Sequence, residues 1–432
     1  MSAQAHSGFI GSVLCNGIEI KGIVDRIELH ESIGNERASG HIQCNIAVTD
    51  GVNFEGKLKG GEDIEFDIGG SGPDSQNRLK LKLVVSDKDT NVQHKTQARS
   101  YIIRGVSKTA LAAHTKITEK GYQNQSSTDI ITQDWKDNIE KIEGKKLVIV
   151  SGDNSTRKID YTSLRETPFN MYQSLLREGA SEKNPSSSYR MWETMNGGQT
   201  SQYNVQTEEG MKKEKSAFKY GVTPMTDHGI GNPNPREQLT IVSYNIDNNF
   251  SIPDQVVNGA LSSRTNSTDP FTMQYTQESD KYGVGADFKR FAHAGSTNPY
   301  GDNVNNILGT SDAPTYESNI MSARHANKQS KFYQARRQTD RRDRHKQDIA
   351  SVDQSNRGQT PTMKATFVVP GNMKLQAGKT IDVDLPQTGE EGGIDKQRSG
   401  KYLIQKLTHV WYKDVDEFKC HSKVECVKDA LT

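Results

Sequence analysis

The sequence predicts a mainly β protein with α+β insertions: two similar antiparallel β-barrel domains, one toward each end of the chain, and a helix-containing middle domain. Three observations predict it. An eleven-residue pattern occurs twice, as LKGGEDIEFDI at 58–68 and LQAGKTIDVDL at 375–385. Apolar residues alternate with period two on both sides of each copy, as they do in half-buried strands. Between the copies lie two segments whose apolar residues recur at helical spacing instead.

The first barrel is assigned to residues 1–115. Ile23, Ile27 and Leu29, then Ile42, Cys44, Ile46 and Val48, alternate as strands do. The turn-rich TDGVNFEGKLKGGED interrupts them before Ile64, Phe66 and Ile68 resume the pattern. GGSGPDSQN reads as a hairpin tip, because Gly and Pro supply turn geometry and nothing in it can pack. Leu79, Leu81 and Leu83 share one face of the next strand, and SYIIRGVSKTA closes the series.

The middle domain is assigned to 116–235. STDIITQDWKDNI spaces Ile130, Ile131, Trp135 and Ile139 helically behind Ser and Thr capping candidates. In TPFNMYQSLLREGA, Thr167 stands at the N-cap and Pro168 at the first helical position, where its missing N–H does no harm. Phe169, Tyr172, Leu175 and Leu176 then form a stripe, Gly179 stops it, and YRMWETMNGGQT reads as a strand entering a turn.

Residues 236–330 hold the start of the second barrel, LTIVSYNI at 239–246, and a loop-rich insertion dominated by Asn, Gly, Ser, Thr and Pro. A basic helix is expected over 331–358. Residues 359–432 supply the rest of the second barrel and a C-terminal tail, with Met363, Ala365, Phe367 and Val369 restoring the alternation.

Each copy of the repeated pattern reads Leu, two residues, Gly, two residues, Ile, an acid, an apolar residue, Asp, an apolar residue. Leu58, Ile64, Phe66 and Ile68, and likewise Leu375, Ile381, Val383 and Leu385, are the residues expected to point into two equivalent cores. Such alternation is common β vocabulary, so duplication rests on a second match in the same order: YIIRGVSK at 101–108 with YLIQKLTH at 402–409. The longer spacing in the first copy is assigned to the Gly-rich tip. Two similar barrels present two similar docking faces, and three such chains in a ring would present six.

Composition narrows the function classes. The chain has 432 residues, of which only 32% are hydrophobic, so much surface is expected to be buried on assembly. Lys and Arg number 55 against 54 Asp and Glu, leaving a net charge of +1 and no overall field to draw the protein onto phosphate or anionic lipid. No basic stretch precedes an apolar run at the N-terminus and no window suits a membrane span, so a soluble protein made without a signal peptide is expected. The N-x-Ser/Thr matches at Asn124, Asn154 and Asn266 then carry no glycosylation meaning. Four cysteines are too few for a disulfide scaffold, which fits a reducing compartment.

Chemical motifs are weak. Lys328 to Lys346 is basic, and Arg336, Arg337, Arg341 and Arg342 are its candidate contact residues. The run lacks the interleaved aromatics of a stacking platform, so a solvated or intersubunit face competes with a DNA channel. CHSKVEC offers Cys420, His421 and Cys426, but on a strand the cysteines face one side and the histidine the other, as buried hydrophobes rather than zinc ligands. Cys15 and Cys44 have no partnering spacing. GVGADF at 283–288 lacks the third glycine of a dinucleotide loop, GDNVNN at 301–306 reads as a polar loop sooner than a cation site, and ESIGNE shows no set carboxylate separation. No P-loop, zincin or nucleophile-elbow motif is present, and no catalytic, cofactor or metal residue is assigned.

Several segments together resemble the central baseplate hub proteins of contractile-tailed bacteriophages, and more distantly the N-terminal hub part of type VI secretion spike proteins. They are TPFNMYQSLLREGA followed by YRMWETMNGG, NGALSSRTNSTDPFTMQYTQ at 258–277, and MKATFVVPGNMKLQAGKTIDVDL with GKYLIQKLTHVW at 363–411. The resemblance implies a homotrimer whose two tube-like barrels per subunit form a pseudo-sixfold ring joining a hexameric tail tube to a trimeric spike. It implies a channel for DNA and the tape-measure protein, contacts with tail tube, central spike and baseplate wedge proteins, no cofactor, no catalysis, and residence in the virion baseplate after synthesis in the host cytoplasm. No oligonucleotide-fold domain or long β-helix follows residue 411, so the spike is expected to be a separate polypeptide. A bacterial injection or secretion hub, and a tail-associated peptidoglycan hydrolase, are the competing readings.

Overall fold

The computed structural model describes residues 7–34, 39–50, 54–70, 78–91, 99–155, 158–179, 181, 183–184, 189–195, 201–222, 239–248, 251–257, 260–269, 274–281, 293–296, 316–321, 360–387, 394–415 and 417–431. The basic run with Arg336, Arg337, Arg341 and Arg342, and the loops GVGADF and GDNVNN, lie outside the described residues.

Seven strands open the chain: β1 (Phe9–Cys15), β2 (Ile18–Glu19), β3 (Val24–Ser32), β4 (Gln43–Asp50), β5 (Asp63–Gly69), β6 (Arg78–Asn91) and β7 (Arg99–Val106). Their alternating apolar residues point inward, so Leu58, Ile64, Phe66 and Ile68 join one buried cluster with Ile27, Leu29 and Leu83. A middle α+β unit follows, with β8 (Thr118–Ser126), β9 (Leu147–Ile149), β10 (Lys158–Glu166), β11 (Tyr189–Thr194) and β12 (Gln202–Thr207). Its helix Pro168–Glu178 buries the stripe Phe169, Tyr172, Leu175 and Leu176. The helix Ser127–Asp134, capped by the Ser126 hydroxyl, runs on through a π-turn at Trp135–Ile139.

The second barrel uses β13 (Phe218–Gly221) and β14 (Ser243–Asn248). A separate sheet of β15 (Ser262–Asp269), β16 (Gln274–Lys281) and β17 (Tyr316–Met321) intervenes. Then come β18 (Met363–Pro370), β19 (Thr380–Asp384), β20 (Gly400–Asp414) and β21 (Glu417–Lys428). Leu375, Ile381, Val383 and Leu385 lie in its core with Phe367 and Tyr402. Phe218–Gly221, within the 116–235 span, pairs with β19 and so contributes to this barrel.

Both barrels have one strand order. The first runs β3-β4-β7-β6-β5-β1 and the second β14-β18-β21-β20-β19-β13. The equivalence reaches single hydrogen bonds. Gly61 (φ +86°) donates to Val85 O at 2.8 Å while Val85 donates to Glu62 O at 2.9 Å. Gly378 (φ +80°) donates to Ile404 O at 2.9 Å while Ile404 donates to Lys379 O at 2.9 Å. The pairing with the next strand then shifts between Val85 and Asp87 in one barrel and between Ile404 and Lys406 in the other. One difference stands out: β1 runs antiparallel to β5, whereas β13 runs parallel to β19.

This equivalence corrects the second sequence match. Ile404 corresponds to Val85 on β6, so Tyr402 occupies the place of Leu83 and not that of Tyr101 on β7. Tyr followed by branched apolar residues suits any inward-facing strand position, and YIIRGVSK and YLIQKLTH match across two non-equivalent strands. The unequal spacing follows from that mismatch and not from the length of the Gly-rich tip.

Candidate functional site

The two barrels meet along one strand. Residues Thr380 to Val383 pair with the near end of β20, through Leu403 to Gly400, inside the second barrel. Beyond the irregularity at Ile404/Lys406, the far end of β20 pairs instead with β3 of the first barrel, from Lys406↔Ser32 to Tyr412↔Arg26. The β20–β21 hairpin therefore belongs to both barrels, and one sheet of 13 strands runs through both among the described residues.

Its residues explain how. Tyr402, Ile404, Val424 and Cys426 fill the second core, while Trp411 and Cys420, farther out, fill the first. Trp411 is fully buried and its indole N–H donates to Gly69 O at 2.8 Å, fixing the hairpin tip to β5. Leu403 and Val427 point from the opposite face into a third cluster with Ile33, Trp192, Met211 and Ala377. A hairpin covered on both faces needs a near-continuous apolar run, and YLI at 402–404 supplies it.

A buried carboxylate closes the joint. Glu31, at the end of β3, accepts hydrogen bonds from the Ala377 N–H (2.6 Å), the Thr194 hydroxyl (2.9 Å) and the Met195 N–H (2.8 Å). One side chain thus ties the first barrel to the second and to the middle unit. Burial pushes its pKa up to about 7 against the pull of those three donors. His409 on β20 is fully enclosed with Nδ1 2.8 Å from the Ser422 hydroxyl, and burial lowers its pKa to about 3.

Two further buried ionic groups brace the middle unit. Glu193 takes Lys145 Nζ at 2.8 Å, the Tyr203 hydroxyl at 3.1 Å and the Ile42 N–H of the first barrel at 3.2 Å. Lys212 reaches Asp429 at 2.6 Å, with His293 Nδ1 3.1 Å from the same carboxylate oxygen. Burial alone would raise the Asp429 pKa, and Lys212 with His293 more than reverses it. These carboxylates are occupied by protein donors, so their chemistry is positioning.

The remaining sequence candidates disperse. Cys420 and Cys426 lie in different cores, and all four cysteines are buried. No metal-holding group of His, Cys, Asp and Glu occurs among the described residues. Glu31 of ESIGNE is the structural acceptor just described. Its inward role had a signal: Ile27, Leu29 and Glu31 share one face of an alternating strand. Among the described residues no helix is long and apolar enough to cross a membrane.

The duplicated barrel, joined in one sheet and flanked by an α+β unit, is a fold shared with two solved tail proteins. The structure is similar to the tail protein from Neisseria meningitidis MC58 at TM-score 0.54 and 8% identity, over 98% of this chain and 97% of that one. It is similar to the 43 kDa tail protein of prophage MuSo2 from Shewanella oneidensis at TM-score 0.54 and 14% identity, over 99% and 100% of the two chains. The E. coli c3393 protein, a component of the type VI secretion system, superposes at TM-score 0.43 and 11% identity over 98% of this chain and 77% of that one. No protein-family model matches the chain, and no curated protein matches its sequence.

Proposed function

We propose that this chain is a structural baseplate hub of a contractile phage tail: a homotrimer whose six barrels form a pseudo-sixfold adaptor between a hexameric tail tube and a trimeric spike. The single observation that carries the reading is the identical strand order of the two barrels in one continuous sheet. A subunit that repeats one module with a fixed offset supplies two near-equivalent faces, and threefold closure turns these into six. The tail-protein fold supports the same role. In this reading the ring surrounds the path of DNA and the tape-measure protein, and Arg336, Arg337, Arg341 and Arg342 face that channel or a neighbouring subunit. Tail tube, central spike and wedge proteins are its partners, and it performs no catalysis. Size-exclusion chromatography with light scattering, with and without the spike protein, tests it. A trimer is expected, and a chain that stays monomeric in both conditions overturns the reading. Peptidoglycan zymography on the purified chain should be blank, and a cleared band would favour the hydrolase reading.

A further inference from the structure

The joint inside one chain specifies a joint between chains. The far end of β20 pairs with β3. By the equivalence of the barrels β20 corresponds to β6, and β3 corresponds to β14. The second correspondence follows strand by strand: Gly105 pairs with Cys44 and Cys44 with Leu29, while Cys426 pairs with Ala365 and Ala365 with Ile246. Leu29 and Ile246 are therefore equivalent, as are Ile27 and Tyr244, and His30 and Asp247.

In the second barrel this position is open. The far end of β6, Asp87–Asn91, pairs only with β7, and β14 pairs only with β18 among the described residues. Ile27 and Leu29 on β3 are fully buried beneath the hairpin that carries Trp411 and Cys420. Tyr244, the counterpart of Ile27, is 46% exposed. A strand edge with exposed apolar residues invites another strand. The element of matching topology whose second edge carries no strand among the described residues is the far end of β6, and within its own chain the far end of β20 already takes the corresponding place on β3.

We propose that Asp87–Asn91 of one copy pairs antiparallel with Ser243–Asn248 of the next copy, in the register that β20 adopts on β3. Leu407↔Glu31 and Thr408↔His30 within the chain become Lys88↔Asn248 and Asp89↔Asp247 between chains. The occupant of the β14 edge is a second copy of this chain, and the closure of three copies rests on the hub reading above. The register has a charge signature: Asp89 and Asp247 come face to face, with Arg104 3.2 Å from Asp89 and Lys364 across the sheet from Asp247. Like charges directly opposite weaken a strand pair.

Cysteine cross-linking of the full chain tests the pairing, since the native cysteines are all buried. Directly opposed residues have Cβ atoms about 5 Å apart, close to disulfide reach, while diagonal ones are about 7 Å or more apart. The chain carrying Asp89→Cys with Asp247→Cys should give intermolecular disulfides up to the trimer on a non-reducing gel. The chain carrying Asp89→Cys with Asn245→Cys should not. A native chain that is trimeric by light scattering, but whose opposed pair fails to cross-link or cross-links no better than the offset pair, overturns the pairing and leaves the hub reading standing. A native chain that stays monomeric, with no cross-link from the opposed pair, overturns both. If β14 instead receives a strand from a different protein, the opposed pair stays uncross-linked, which also overturns the proposal. A second variant, Asp247→Asn, removes the facing charges without setting a second cation opposite Lys364, and should lower the concentration for half-assembly by about threefold. An unchanged or raised concentration overturns the register.

Discussion

Gly378 lies against the indole of Trp192: a Cβ on Gly378 would come within 2.5 Å of Trp192 Cζ2. Its counterpart Gly61 has the same left-handed backbone (φ +86° against +80°) but open space where that Cβ would go. The two glycines separate backbone strain from packing. Gly61→Ala should cost about 1 kcal/mol, the left-handed penalty alone. Gly378→Ala adds displacement of a fully packed indole and should cost about 3 kcal/mol. Urea denaturation of the two variants checks the ranking, and equal losses would mean that Trp192 yields freely.

Trp411 carries the hairpin of the second barrel into the core of the first. Trp411→Ala removes a fully buried indole and its hydrogen bond to Gly69 O, and should cost about 3–5 kcal/mol. Trp411→Phe keeps most of the volume and should cost less. Hydrogen exchange distinguishes the site of damage: amides of β3 and β5 should lose protection before those of β18 and β19.

Acid should destabilise the fold below pH 6.5. His409 and His41 have pKa values lowered to about 3, His409 by burial and His41 by burial with His114 and Lys145 nearby. The unfolded chain binds protons at both below pH 6.5 and the folded chain does not, so their contribution is complete above that pH. It falls by about 1.4 kcal/mol per histidine per pH unit toward pH 3. Glu31 works the other way: raised from 4.5 to about 7, it holds a proton that the unfolded chain releases, so it adds stability as pH falls from 7 to 4.5. Two histidines outweigh one carboxylate. These three groups alone give a net loss of about 1.4 kcal/mol per unit between pH 6.5 and 5, and His30 and His114, both lowered chiefly by burial, add to it in the same direction. His409→Gln removes one of these contributions, so its urea midpoint should fall less steeply over that range than that of the native chain.

Much of the two-barrel architecture was legible in short stretches. L-x-x-G-x-x-I works as a marker because its glycine is set by φ and its apolar residues by strand period, so both constraints are local. The YIIRGVSK match misled because inward strand positions accept similar residues in any strand. The sharing of β20 between barrels was out of reach, since it depends on which edge of β3 is free, and Arg26 and Tyr412 are partners only in three dimensions. The parallel strand β13 was hidden in the middle unit because FKYG is too short to show a period. Glu31 could have been found from its place in the Ile27, Leu29, Glu31 series, had an inward acid been read as an acceptor awaiting donors.

That acid gives the sharpest test of how the three units cohere. Glu31→Ala leaves the Ala377 and Met195 N–H groups and the Thr194 hydroxyl without their buried acceptor, at about 1–3 kcal/mol for each group that water cannot reach. Glu31→Gln keeps one acceptor oxygen, enough for part of the set, but its amide must face a donor, so the loss should be smaller and not zero. Two of the donors belong to the middle unit and one to the second barrel, while Glu31 belongs to the first, so the loss should fall on the coupling of the units more than on any single core. In urea, Glu31→Ala should split unfolding into separated transitions, read as a lower apparent m-value, whereas Gly61→Ala should shift one transition without splitting it. A single cooperative transition in Glu31→Ala, merely shifted, would mean that the β20–β3 pairing alone holds the barrels together.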